Sequence, residues 1–180
     1  MGKTIIVFGL PGSGKSLFAE ALATRLSATY LSSDQIRLSF SQENRYGESA
    51  KRAIYEAMKT RTMDARNKGE TVVADATFFR QDLREYFIRD LPGRVFFLEI
   101  YADESVIRSR LKTKRRFSEA DFEVFQKIKS AFEPLKEPHL SLDSGSLTIE
   151  EMLREAESYL KDNHHESGPN ISVDRREYIS

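Results

Sequence analysis

Gly9-Leu10-Pro11-Gly12-Ser13-Gly14-Lys15-Ser16 matches the spacing G-x-x-x-x-G-K-[ST] at every fixed position. Before it runs the apolar stretch Ile5-Ile6-Val7-Phe8, and after it Leu17, Phe18, Ala21, Leu22 and Leu26 recur at helical spacing. The segment reads as strand, loop and helix, the context in which this spacing carries chemistry. Its glycines let backbone N–H groups curl around an anion without Cβ interference, and the following helix points its positive dipole end at the same place. The cradle of this phosphate-binding loop is expected from Pro11, Gly12, Ser13, Gly14, Lys15, Ser16 and Leu17. Lys15 adds charge at the β- and γ-phosphates, and Ser16 offers its hydroxyl to Mg2+.

The chain has 180 residues, a length suited to one well-cored domain. Its 28 basic and 28 acidic residues cancel, so no global field draws it onto nucleic acid or a membrane surface. Cysteine is absent, which excludes disulfides and cysteine-based metal or nucleophile chemistry and suits a reducing compartment. The apolar start breaks at Gly9 and becomes the phosphate loop, unlike a signal segment, and no stretch approaches the roughly 20 apolar residues of a membrane span. A soluble, cytoplasmic protein is expected.

Four further segments read as strands: Thr29 to Ser32, Thr71 to Asp75, Val95 to Tyr101 and His139 to Asp143. They lack alternation, as strands of a parallel sheet covered on both faces do. Helical patterns lie between them. Ala50 to Asn67 carries Ala53, Ile54, Ala57, Met58 and Met63, and Ser118 opens a helix with Phe122, Phe125, Ile128 and Phe132 on one side. Thr148-Ile149-Glu150-Glu151 is a capping box ahead of Met152, Leu153, Ala156, Tyr159 and Leu160. Alternating strands and helices imply right-handed crossovers and an α/β three-layer sandwich of about five parallel strands. The polar stretch from Asp162 to Ser180 predicts a flexible tail, with His164-His165 solvated rather than metal-binding.

In such a sheet ligands bind at the carboxyl ends of the strands, which makes Gly9 onward, Ser32 to Arg37 and Asp75 to Thr77 converge. In-line phosphoryl transfer needs a group that orients the attacking hydroxyl and accepts its proton, and cations that steady the spreading charge. Asp34 suits the first role, and the forked guanidinium of Arg37 suits gripping a substrate phosphate, carboxylate or diol nearby, against competing roles as helix cap and surface cation. Asp75 ends an apolar strand as a Walker-B-like carboxylate and would hold Mg2+, against a competing role as a cap for the segment after it. Thr77 follows two residues later. From Arg108 to Arg116 the chain has no acidic residue, which predicts a lid at about 108–117 that closes over the triphosphate. Two other classes lack their marks. Asn67-Lys68-Gly69-Glu70 precedes a strand and has Glu where a GTPase motif needs Asp, and Asp75-Ala76 is not the Asp-Glu pair of a ring-forming mechanical ATPase.

The phosphate loop, Ser33-Asp34-Gln35-Ile36-Arg37, Val73-Ala74-Asp75-Ala76-Thr77, the basic run and the break at Phe132-Glu133-Pro134 together resemble P-loop kinases. The likeness is to those related to the polynucleotide 5′-hydroxyl kinase domain, with gluconate and adenylylsulfate kinases as more distant relatives. It runs from Lys3 to about Leu160 and departs at Phe78, where polynucleotide kinases tend to show Asn. The resemblance implies the P-loop nucleoside triphosphate hydrolase fold over residues 1–161 and an ATP- and Mg2+-dependent transfer to a hydroxyl. It also implies Asp34 as base, Arg37 near the acceptor, Arg110 against the adenine and Arg115 or Arg116 at the phosphates. The acceptor class spans nucleosides, nucleic-acid 5′ ends and small metabolites, with contacts expected from Leu38 to Ala57, including Arg45, Tyr46 and Arg52. The alternative is an ATP-binding switch with no acceptor of its own.

Overall fold

The computed structural model describes residues 2–40, 47–112 and 122–162. The expectations for Arg45, Tyr46, Arg115, Arg116, Phe117, Ser118 and the His164-His165 pair lie outside the described residues. Five strands form one parallel sheet in the order β2-β3-β1-β4-β5. They are β1 (Thr4–Phe8), β2 (Thr29–Ser32), β3 (Val72–Asp75), β4 (Val95–Tyr101) and β5 (His139–Asp143). The helices are α1 (Lys15–Leu26), α2 (Ser33–Leu38), α3 (Glu48–Asn67), α4 (Gln81–Ile88), α5 (Glu104–Leu111), α6 (Phe122–Ser130) and α7 (Ile149–Asp162).

The central strand explains why the pattern lacks alternation. Every residue of β1 is fully buried, because each face of the sheet is roofed by helices. Ile5 and Val7 point into a core with Phe18 and Leu22 of α1, Leu98 and Ile100 of β4, and Met152, Leu153 and Leu160 of α7. Ile6 and Phe8 point the other way, into a core with Ile54 and Met58 of α3, Phe87 of α4, Phe97 of β4 and the buried Phe78. Strand order reverses at β1, so the crevice of the switch point opens beside the β1–α1 loop.

The three-layer α/β expectation therefore holds, and all four later strands fall where the sequence puts them. The capping box also forms: Thr148 N–H donates to Glu151 Oε2 at 2.8 Å, and Glu151 N–H to Thr148 Oγ1 at 3.3 Å. Leu17 is a correction, since it is 65% exposed while Phe18, Ala19, Leu22 and Ala23 form the buried side of α1. The first part of the basic run, Arg108 to Leu111, is the last turn of α5, which packs Ile107 into the interior, and the expected lid from residue 113 onward lies outside the described residues. Helix α4 has too few residues to declare a period and was not anticipated.

One buried cation fastens the far side of the crevice. Arg84 of α4, with no exposed surface, donates to Phe78 O at 2.7 Å, Gln81 Oε1 at 2.9 Å and Pro134 O at 3.2 Å. It ties the loop after β3 to the segment after α6, where Glu133 N–H also donates to Phe79 O at 2.8 Å. Burial lowers the pKa of its guanidinium, the expected direction for a desolvated cation. Removing a buried charged donor strands its acceptors without water. Arg84→Ala should lower unfolding free energy by about 3 kcal/mol in urea titration, with the loss read as a shifted midpoint at an unchanged slope.

Candidate nucleotide site

The loop from Gly9 to Ser16 leaves its amides open. Helix α1 begins at Gly14 (φ 91°) with no side-chain cap and no acidic residue in its first turn. Ser13 N–H bonds Leu10 O at 3.1 Å and Phe18 N–H bonds Gly14 O at 3.2 Å. Those of Lys15, Ser16 and Leu17 have no backbone partner among the described residues. Open amides at a helix N-terminus are the arrangement that suits an anion. The carbonyls just upstream, those of Gly12 and Ser13, meet donors on the other side of the loop. Arg110 Nη1 donates to Ser13 O at 3.2 Å and lies 3.5 Å from Gly12 O, while Nη2 donates to Ser144 O at 2.7 Å. Ser144, just past β5, accepts from Arg110 Nη1 through Oγ at 2.8 Å and itself donates to Ser13 O. Helix α5 backs the loop so closely that a Cβ on Gly12 (φ 85°) would meet Ile107 Cγ2 at 2.7 Å.

Asp75 closes the crevice from β3 and is 1% exposed. Its Oδ2 accepts the Tyr30 phenol at 2.9 Å, whereas Oδ1, equally buried, has no hydrogen-bond partner among the described residues. Burial raises its pKa; Lys15, Ser16 and Tyr30 oppose that rise and Asp34 adds to it, so all four surround it. A dry carboxylate oxygen beside a serine hydroxyl and a phosphate loop is the hard, anionic donor that Mg2+ takes, and Ser16 and Asp75 fit that ion. Among the described residues no amide donates to Asp75, which leaves the capping alternative without a contact. Burial and the adjacent Asp75 push the Tyr30 phenol well above its ordinary value, so it stays a donor.

Asp34 and Arg37 stand across from it in α2. Ser32 occupies the N-cap position, and the Asp34 carboxylate caps no amide among the described residues. Asp34 is 35% exposed, and its Oδ1 lies 3.9 Å from Arg37 Nε, a loose pair open to a visiting group. Both are felt at Tyr55, whose phenol accepts Phe78 N–H at 3.1 Å and sits beside the Thr77 hydroxyl; burial raises its pKa. Phe78 takes φ 45°, a left-handed conformation that a bulky side chain holds only when packing fixes it.

The structure thus brings Lys15, Ser16, Asp34, Arg37 and Asp75 to one crevice and sets Arg110 behind the loop. Three contributors lie outside the sequence expectations, two of them with no signal in the sequence. Tyr30 is a strand residue whose partner lies on another strand, and Tyr55 sits inside a helical apolar stripe. Ser144 follows β5, so the strand-end rule that found Asp34 and Asp75 also reaches it.

A family model described as an AAA domain matches residues 5–135. No curated protein matches the chain. Among solved structures, a gluconokinase from Sinorhizobium meliloti 1021 is 20% identical over 92% of this chain and 98% of that one, with a TM-score of 0.72. The Mycobacterium tuberculosis APS kinase CysC, in complex with AMPPNP and APS, is 19% identical over 89% and 98%, with a TM-score of 0.70. Chaetomium thermophilum Kti12, in complex with ADP-AlF3, is 16% identical over 88% and 97%, with a TM-score of 0.68. At such identities the likeness is one of fold. No helix among the described residues is long and apolar enough to cross a membrane. With its phosphate loop, its parallel sheet and a family match over most of its length, the chain belongs to the AAA domain family and carries a P-loop kinase-like fold.

Proposed function

We propose that the protein is an ATP-dependent phosphotransferase that moves the γ-phosphoryl group to a hydroxyl acceptor, of the group related to polynucleotide 5′-hydroxyl kinases. The observation that carries this reading is the pairing of two unlike carboxylates across one crevice, a dry Asp75 beside Ser16 and a part-exposed Asp34 beside Arg37. A protein that only bound nucleotide would need the first and not the second.

The open amides of the phosphate loop and Lys15 bind the β- and γ-phosphates. Ser16 and Asp75 would hold Mg2+, which supplies charge neutralisation on the phosphates when bound. Arg37 steadies the acceptor, and Asp34 accepts its hydroxyl proton as the oxygen bonds to the γ-phosphorus and the bond to the β–γ bridging oxygen breaks, leaving ADP. Arg110, pinned flat by Ser13 and Ser144, offers a face to the adenine, and Arg115 and Arg116 supply charge to the phosphates. The acceptor comes from the nucleosides, nucleic-acid 5′ ends and small metabolites, and a cytoplasmic setting fits a chain without cysteine.

Three variants separate the roles. Lys15→Ala should weaken ATP binding and turnover together. Asp34→Asn should bind ATP as before yet lose about a hundredfold or more in transfer, measured with γ-labelled ATP and a panel of nucleosides, 5′-hydroxyl oligonucleotides, sugars and sugar acids. Undiminished transfer by that variant would remove Asp34 from the mechanism, and label reaching only water in the unaltered protein would favour the ATP-binding switch. Asp75→Asn should act in opposite senses on stability and binding. Burial raises the folded-state pKa of Asp75, so its contribution to stability is present at low pH and lost as pH rises through that value. At neutral pH the amide relieves a buried charge, and the nucleotide-free variant should gain about 1 kcal/mol while losing Mg2+-dependent nucleotide binding. Chemical denaturation and calorimetry read the two effects separately.

A further inference from the structure

Tyr30 has no part in the chemistry above, yet its phenol holds one oxygen of the most deeply buried carboxylate of the crevice. It lies on the edge strand β2, where the register sets Tyr30 beside Val73 and Ser32 beside Asp75. Its phenol therefore reaches along the sheet face by one strand repeat to meet Asp75 Oδ2 at 2.9 Å. The ring packs against the core beneath α1, which fixes where the hydroxyl sits.

A carboxylate has two oxygens and, at the end of a strand, freedom to rotate about its last bond. Here one oxygen is held and the other is left wholly buried without a hydrogen-bond partner among the described residues. A buried acceptor left this way costs about 1–3 kcal/mol, so such an atom calls for an explanation in what the site binds. Ser32 and Glu20 are the other polar groups felt at the phenol, and neither competes for Asp75 Oδ1.

Resting on the reading of Ser16 and Asp75 as Mg2+ holders, we propose that Tyr30 is a positioning residue for metal–nucleotide binding. By fixing Oδ2 it stops the carboxylate from rotating and leaves Oδ1 as the oxygen available to the metal shell. Outer hydrogen-bond partners of metal-binding carboxylates act in this way, and losing one weakens metal binding while leaving the rest of the site standing.

The experiment measures ATP affinity of the full-length protein by titration calorimetry, once with excess Mg2+ and once with EDTA. The quotient of the two affinities is the coupling between metal and nucleotide. Tyr30→Phe keeps the ring and removes the donor. It should reduce the quotient by about tenfold while the affinity in EDTA stays within about twofold. In an Asp75→Asn background the same substitution should change the quotient no further, because it acts through that carboxylate. An inactive fraction lowers the stoichiometry and not the quotient, so partial misfolding does not imitate the effect. A Tyr30→Phe quotient within about twofold of the unaltered protein would overturn the inference alone. So would equal weakening with and without metal, which marks a purely structural tyrosine. If the unaltered protein shows no metal-dependent gain in ATP affinity, the metal-site reading falls, and this inference with it.

Discussion

Everything at the site depends on the orientation of a few peptide groups between Gly9 and Ser16. A peptide that turns its N–H toward an anion must turn its C=O away, and a buried carbonyl without a donor is as costly as a buried amide without an acceptor. The protein meets this with Arg110 and Ser144, which bond the carbonyls of Ser13 and, through Arg110, approach that of Gly12. Their positions come from α5 and from the turn after β5, two elements distant in sequence. The loop is therefore a shape imposed by its backing and not a property of its glycines alone. Glycine is what permits Gly12 and Gly14 to take positive φ and lets α5 come this close.

On the proposed reading the two carboxylates divide their work by environment. Asp75 ends a strand buried on both faces, so its charge is stabilised by Lys15, Ser16 and Tyr30 and not by water. Asp34 begins a short helix on the outer side of the crevice and keeps about a third of its side chain exposed. A proton acceptor must exchange its proton with solvent between turnovers, whereas a metal-holding oxygen gains from being dry. Pairs of titratable groups with divergent surroundings are the usual mark of divided roles in catalysis.

Much of this was legible in the sequence, for a physical reason. Parallel strands covered on both faces are continuous apolar runs, and the rule that ligands gather at their carboxyl ends turned those runs into a map of the crevice. With the G-x-x-x-x-G-K-[ST] spacing that marks Lys15 and Ser16, it put Asp34, Arg37 and Asp75 at the crevice where the fold places them. What stayed hidden depends on register and packing. Tyr30 matters because β2 pairs with β3 so that Ser32 lies beside Asp75, and nothing in either strand announces that pairing. The contacts of Arg110 stayed hidden too, because charge density alone does not show which arginine seats on carbonyls. Nothing in the sequence marks Arg84 as buried, because its burial follows from where Phe78 and Pro134 meet.

The same contacts explain how the acceptor side can be strained and still well defined. Phe78 holds a left-handed backbone that costs of order 1 kcal/mol or more for a bulky residue. Its N–H is bonded by Tyr55 of α3 and its C=O by Arg84 of α4, while its ring stacks edge-on with Tyr55 and Phe87 at centroid distances of 5.1 Å. With both peptide groups and the side chain fixed, no relaxed conformation is accessible without breaking several contacts at once. Thr77, immediately before it, is consequently set in place beside the Tyr55 phenol and the Asp34/Arg37 pair. The left-handed backbone in this loop is confined to Phe78, and its contacts hold the loop after β3 in one place, as the proposed transfer to an aligned oxygen would require.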